Sequence, residues 1–75
     1  MRSLKGREVV RALELAGFTI VRTSASHHIM KRAGQEGTVS VPVHAGKDVK
    51  TGTLASVIRQ SGLTKEQFWA FVENI

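Results

Sequence analysis

Along the first stretch of the chain, apolar side chains return at helical spacing. Val9, Val10, Leu13 and Ala16 fall on one side of a cylinder whose other sides carry Arg7, Glu8, Arg11 and Glu14. That pattern predicts an amphipathic helix over residues 5–16. Ser3 or Gly6 offers its N-terminal cap, and Gly17 stands where a helix ends in a left-handed residue. The period then changes. Phe18-Thr19-Ile20-Val21-Arg22-Thr23 is rich in β-branched residues and predicts a strand, Ser24-Ala25-Ser26 a turn, and His27-His28-Ile29-Met30-Lys31 a second strand. Ala33 to Gly37 supplies two glycines for a hairpin-type loop. Thr38 to Val43 alternates, with Val39, Val41 and Val43 on one face. Pro42 has no N–H for a ladder, so this strand ends there or lies at an edge.

His44 to Gly52 is polar and reads as a loop. A helix follows, with Leu54, Val57, Ile58 and Ser61 on one face and Gly62 as its terminator. Thr64 with Gln67 three residues on is a capping box, and it opens a last helix with Phe68, Phe71, Val72 and Ile75 at i, i+3, i+4, i+7. The order is α-β-β-β-α-α, without repeats, linker or low-complexity segment. It predicts an α+β sandwich of two layers, a three-stranded antiparallel sheet with helices on one face. The other sheet face is left open, and a function can be placed there.

Length and composition sharpen this picture. The 75 residues make one domain spanning 1–75. A domain of this size buries only about 60% of its unfolded surface and gains from a partner chain. Apolar residues at 41% suffice for a folded core. With no cysteine there is no disulfide framework, thiolate zinc site or cysteine nucleophile, and a reducing cytoplasm fits. No apolar run approaches a membrane span, and the N-terminus lacks a signal-peptide core, which points to a small soluble domain. The formal charge is +5. Its distribution says more: residues 22–59 hold six Lys and Arg (Arg22, Lys31, Arg32, Lys47, Lys50, Arg59) against Glu36 and Asp48. A basic middle favours an anionic partner, with nucleic acid the leading class.

Three histidines are the candidate reactive groups. Adjacent on a strand, His27 and His28 point to opposite sides of the sheet, so at most one faces the core. Imidazole is the side chain suited to proton transfer near neutral pH; the alternative is that both are ordinary strand residues, which spacing alone favours. His44 follows the third strand. No metal is expected, because adjacent strand histidines do not reach one ion together and no fourth ligand is evident. Lys47 and Lys50 precede a helix start, where backbone N–H groups bind phosphate, while capping by Thr51 or Thr53 needs no ligand. Trp69 lies beside the apolar stripe of the last helix; core packing or a dimer contact accounts for it, which leaves a homo-oligomer open.

Taken in order, Phe18 to Thr23, Ser26-His27-His28-Ile29-Met30, Val41-Pro42-Val43-His44 and Asp48-Val49-Lys50-x-Gly52-Thr53-Leu54-x-x-Val57-Ile58-Arg59-Gln60-x-Gly62-Leu63 resemble the HicA toxins of bacterial type II toxin–antitoxin systems. The resemblance covers nearly the whole chain. It implies a fold similar to the double-stranded-RNA-binding domain, α-β-β-β-α, here with an extra C-terminal helix. It also implies a ribosome-independent mRNA endoribonuclease that needs no cofactor, neutralised by a HicB-like antitoxin covering its active site. The family's catalytic histidine lies in a Gly-Ser-His motif. Ser26-His27 matches its last two positions, with Ala25 in place of the glycine; Thr51 replaces a proline common before Gly-Thr-Leu. The position after Ser selects His27, with His28 the second choice.

RNA brings its own nucleophile in the 2′-OH, so an imidazole acting as general acid and base meets the chemical need. Cations nearby would stabilise charge gathering on the phosphoryl oxygens. Lys31, on the same strand face as His27, comes first, then Arg22, Lys47 and Lys50; together with Ser26 these are the expected RNA contacts. His44 or water would serve as the leaving-group acid. The competing reading is a non-catalytic RNA-binding module in which the histidines are structural.

Overall fold

The computed structural model describes residues 2–75. Its elements are α1 (Gly6–Leu15), β1 (Thr19–Thr23), β2 (His27–Lys31), β3 (Val39–Pro42), α2 (Thr51–Ser61) and α3 (Lys65–Val72). The strands form an antiparallel meander in the order β1-β2-β3. Helix α1 packs on α3 and β3, and α2 lies along β3. The α+β order and the three-stranded antiparallel sheet are those expected from the pattern.

Helix α1 forms because its apolar positions find a layer to join: Val9, Val10, Ala12 and Leu13 are all buried. It ends as the sequence indicates. Gly17 takes φ +100°, its N–H donates to the Glu14 carbonyl and that of Phe18 to the Leu13 carbonyl, both at 3.0 Å. This is a Schellman closure, with Phe18 and Leu13 both buried in the core. Arg32 completes it. One guanidinium N–H reaches the Ala16 carbonyl at 3.1 Å and the group sits 4.8 Å from the centre of the Phe18 ring. Two further N–H groups donate to Gln35 Oε1, whose amide nitrogen donates to the Ser61 carbonyl at 2.9 Å. A cation at helix carbonyl ends is favourable, and this one joins the ends of α1 and α2.

Two helix starts differ from expectation. The N-cap of α1 is Lys5, not Ser3 or Gly6. A capping hydroxyl is unnecessary there, because Glu8 reaches back from inside the helix to accept from the Lys5 N–H at 2.9 Å. That bond, and then the Arg2 guanidinium at 3.0 Å, holds the Glu8 carboxyl below its ordinary range. The N-cap of α2 is Lys50, so Thr51 and Thr53 fall within its first turn rather than capping it; the Leu54 N–H closes that turn on the Lys50 carbonyl at 2.8 Å. Helix α3 carries the expected capping box, Gln67 N–H to Thr64 Oγ1 at 3.1 Å and Thr64 N–H to Gln67 Oε1 at 2.9 Å.

The core lies between sheet and helices, where Leu4, Leu13, Met30, Val39, Val41, Val57 and Phe68 are fully buried. Strand β3 is shorter than the alternation of residues 38–43 and stops at Pro42, whose missing N–H falls on the edge away from β2, so the Val43 N–H still donates to the Ser26 carbonyl at 2.8 Å. β1 forms the opposite margin, exposed along its whole length and bulged at Val21, where the pairing slips between Ile20 and Arg22. Gly6 is the most closely approached of the glycines. A Cβ there would collide with the Pro42 carbonyl oxygen and lie 2.7 Å from Val43 Cα. Neither obstacle is a flexible side chain. Gly6→Ala therefore destabilises the domain by about 1–3 kcal/mol as an overpacking change, although alanine is the better helix former. Thermal unfolding checks this: Tm falls by about 4–8 °C for each kcal/mol in a domain this size.

Candidate functional site

The pleat of β2 separates the two adjacent histidines. His28 pairs with Val41 on one side and Thr23 on the other, while Met30 pairs with Val39. Residues directly opposite each other share a face, and Met30, Val39 and Val41 are buried. His28 thus belongs to the helix side, with its Nδ1 buried and without a hydrogen-bond partner. His27 pairs with Pro42, and Ile29 with Ser40. Those residues, with Arg22 opposite Ile29 and Thr19 opposite Lys31, line the open face.

His27 is exposed but not free to turn at will. Its Nδ1 lies 3.2 Å from Ser26 Oγ. The serine is itself placed by a short hairpin, in which the Ser24 N–H donates to the His27 carbonyl at 2.9 Å and the Val43 N–H to the Ser26 carbonyl at 2.8 Å. A proton on Nδ1 would be donated to the serine oxygen and leave Nε2 as an acceptor toward solvent. With the hydroxyl as donor instead, Nε2 carries the proton. The contact selects a ring orientation in either case.

Beside His27 runs a groove of about 520 Å³. Its sheet wall is His27, Ser40 and Pro42, its loop wall His44, Lys47, Asp48, Val49 and Lys50, and its helix wall Thr53 and Gln60 of α2. The loop is built from the turn upward. The Lys47 N–H donates to the His44 carbonyl at 3.0 Å, with Gly46 at φ +73° in the third position, where a type II turn needs a left-handed residue. The Val49 N–H then donates to the Leu4 carbonyl at 2.7 Å, Lys5 and Asp48 form an isolated antiparallel bridge, and Lys5 Nζ stands 3.3 Å from the Asp48 carboxylate. The groove's one carboxylate is therefore answered from outside it. Lys47 and Lys50 enter no ion pair among the described residues, so the groove is net cationic. Gln60 closes the margin of β3, its Oε1 accepting from the Ser40 N–H at 3.1 Å.

The structure thus gathers His27, His44, Lys47 and Lys50 around one groove, with Ser26 behind the first. Lys31 and Arg22 share the open face but stand outside the groove. Lys31 is four residues along β2, about 13 Å away at strand rise, and lines a second depression with Thr19, Val21 and the loop after β2. Ser40, Thr53, Asp48 and Gln60 escaped the sequence reading as groove residues. Strand alternation opposite Val39 and Val41 carried a signal for Ser40; nothing comparable marked Gln60, whose role follows from how α2 lies on β3. Trp69 packs edge-on against Phe68, ring centres 5.7 Å apart, half-buried against the core. Among the described residues no cluster of three or more His, Asp or Glu is placed to hold a metal, and no helix is long and apolar enough to cross a membrane.

A two-layer α+β domain with one open sheet face and a histidine-bearing cationic groove is the class these features define. Residues 6–63 match the family described as the HicA toxin of bacterial toxin–antitoxin, and the chain belongs to that family. It is a toxin of the toxin–antitoxin kind. No curated protein matches the chain. The match ends before α3, so the last helix lies outside the matched stretch.

Ser26→Ala removes the only hydrogen-bond partner found for the His27 ring among the described residues. The expected result is a changed Nδ1/Nε2 tautomer balance at His27, read from its ring ¹⁵N shifts, with the backbone amide spectrum otherwise preserved. Unchanged ring shifts would mean that the serine does not orient the imidazole.

Proposed function

We propose that the chain is a metal-independent endoribonuclease acting on mRNA without the ribosome, with His27 as its general base. One observation carries this reading: of the two adjacent histidines, His27 is the one on the open face, buttressed by Ser26 at a groove with two unpaired lysines. With the Nδ1 proton donated to Ser26 Oγ, the Nε2 lone pair takes the proton of an RNA 2′-OH. The freed oxygen attacks the adjacent phosphorus and the 5′-oxygen leaves, giving a 2′,3′-cyclic phosphate and a 5′-hydroxyl. Lys47 and Lys50 stand where the phosphoryl oxygens gather charge. Arg22 and Lys31 extend the cationic surface along the open face for the flanking backbone.

A nuclease with such a face needs a cover in its own cell. The fitting partner is a HicB-like antitoxin that presents carboxylates to Lys47 and Lys50 and buries His27; opposite charges speed encounter, and apolar contacts give lasting affinity. Toxin, antitoxin and mRNA would meet in the cytoplasm. Binding only the folded toxin also raises its apparent stability.

His27→Ala is expected to lower cleavage of single-stranded RNA in EDTA by about 10²–10⁴-fold, the usual contribution of a positioned acid–base group, with Tm and RNA affinity preserved. His28→Ala, on the helix side, is expected to change Tm and to leave cleavage by the folded protein standing. Loss of cleavage in His28→Ala alone would transfer the role to the other face. Tight RNA binding without cleavage by the unmodified chain would favour a non-catalytic binding module.

Lys47→Ala and Lys50→Ala are each expected to weaken RNA binding in a salt-dependent way. A lysine that neutralises one phosphate contributes roughly 0.7 to the slope of log K against log salt on a single strand, and its removal lowers the slope by that amount. Slopes equal to that of the unmodified chain in both variants would put the RNA elsewhere on the surface.

A further inference from the structure

We propose that His44 is a second catalytic group, the acid that protonates the departing 5′-oxygen while His27 takes the 2′ proton. This rests on the ribonuclease reading above and adds to it a named proton donor. The geometry points to it through the shared groove: the two imidazoles line one depression from different walls, His27 from the sheet and His44 from the loop.

The placement follows from the backbone. His27 lies opposite Pro42 across the β2–β3 ladder, and His44 is only two residues beyond that proline. Between them the Val43 N–H is tied to the Ser26 carbonyl at 2.8 Å, so the chain still follows the hairpin that carries His27. Immediately afterwards the His44 carbonyl closes the turn with the Lys47 N–H at 3.0 Å. The backbone of His44 is thereby fixed on both sides, and its side chain remains exposed.

The chemistry asks for such a group. In an in-line displacement the entering and leaving oxygens occupy opposite sides of phosphorus, so the base and the acid approach from two directions. One imidazole that has just accepted the 2′ proton is on the wrong side to deliver it. The other polar groups of the groove are poorly suited. Asp48 is paired with Lys5, the Gln60 oxygen is committed to the Ser40 amide, and an ammonium is a far weaker acid than an imidazolium. Imidazole exchanges a proton near neutrality, and His27 and His44 are the imidazoles lining this groove.

The balance of the step is complete. His27 Nε2 gains the 2′ proton as the O2′–P bond forms. The P–O5′ bond breaks with its electron pair going to O5′, which takes a proton from the His44 imidazolium. His27 ends charged and His44 neutral, and exchange with water restores both.

A substrate with sulfur in place of the bridging 5′-oxygen tests the assignment, since a thiolate, with a conjugate acid near pKa 8.5 as for a cysteine thiol, leaves without protonation. A linkage cut by the unmodified protein is first mapped in a short single-stranded oligoribonucleotide, and the sulfur is then placed there. On the ordinary linkage His44→Ala is expected to lose about 10²–10⁴-fold in rate and the alkaline limb of the pH profile. On the sulfur linkage it should recover to within about tenfold of the unmodified protein, as the acid's contribution is no longer needed. His27→Ala should stay slow on both. An equal loss on both linkages, or no loss on the ordinary one, overturns the role of His44. Rescue of His44→Ala with full activity in His27→Ala would instead overturn His27 as the base and leave His44 standing. If the mapping finds no linkage cut by the unmodified protein, the nuclease reading falls and this inference with it.

Discussion

The loop wall of the groove is located by the contact between Gly6 and the end of β3. With no side chain at that position, the first turn of α1 lies directly on the backbone of Pro42 and Val43. The same approach brings the preceding residues alongside the loop, so that the Leu4 carbonyl accepts from Val49 and Lys5 meets Asp48. Leu4 is itself fully buried and anchors this segment in the core. The wall of the groove is therefore held by the segment before α1, 43 residues away in sequence at the Lys5–Asp48 pair. A loop with that support can keep a preformed shape without a regular element of its own.

The cations divide between those that build the fold and those left without a partner. Arg32 is spent on structure: it closes one helix end, stacks on Phe18 and, through Gln35, reaches a second helix end. Hydrogen bonds to a charged donor of this kind contribute about 1.5–3 kcal/mol. Lys5 answers Asp48 and Arg2 answers Glu8, pairs whose exposure limits their worth for stability but which remove negative charge from competition. Lys47, Lys50, Lys31 and Arg22 are left without ion pairs among the described residues. Four cations without ion pairs thus stand on the sheet's open side and the adjoining loop, while Arg7, Arg11, Arg59 and Lys65 on the helices are likewise without them among the described residues.

Much of this was legible along the chain because local chemistry and global packing agree. Gly17 and Gly62 end helices in the left-handed conformation their positions called for, and the Thr64–Gln67 box formed as spaced. The alternation of Val39 and Val41 set which face of β3 is buried and, through the ladder, which histidine faces out. Three things were not legible. The cap of α1 depends on Glu8 folding back, which no cap-residue preference encodes. The bulge at Val21 shifts β1 by one position in a run of β-branched residues that looks uniform. That the groove opens at the His27 end of β2 and leaves Lys31 outside follows from where α2 and the loop lie, a tertiary fact that a shared strand face cannot convey.

Helix α3 gives the fold a dependence on the direction of synthesis. Every residue lining the groove has been made by Gln60, yet α1 finds its main helical packing partner in α3, where Phe68 and Val72 are buried. Burial of one such side chain is worth about 1.5–3 kcal/mol, against a total stability for small domains of about 5–15 kcal/mol. A nascent chain that has emerged only as far as α2 carries all the groove's side chains over an incomplete apolar layer. The scaffold of the groove thus leans on a helix that follows every residue lining it in the chain.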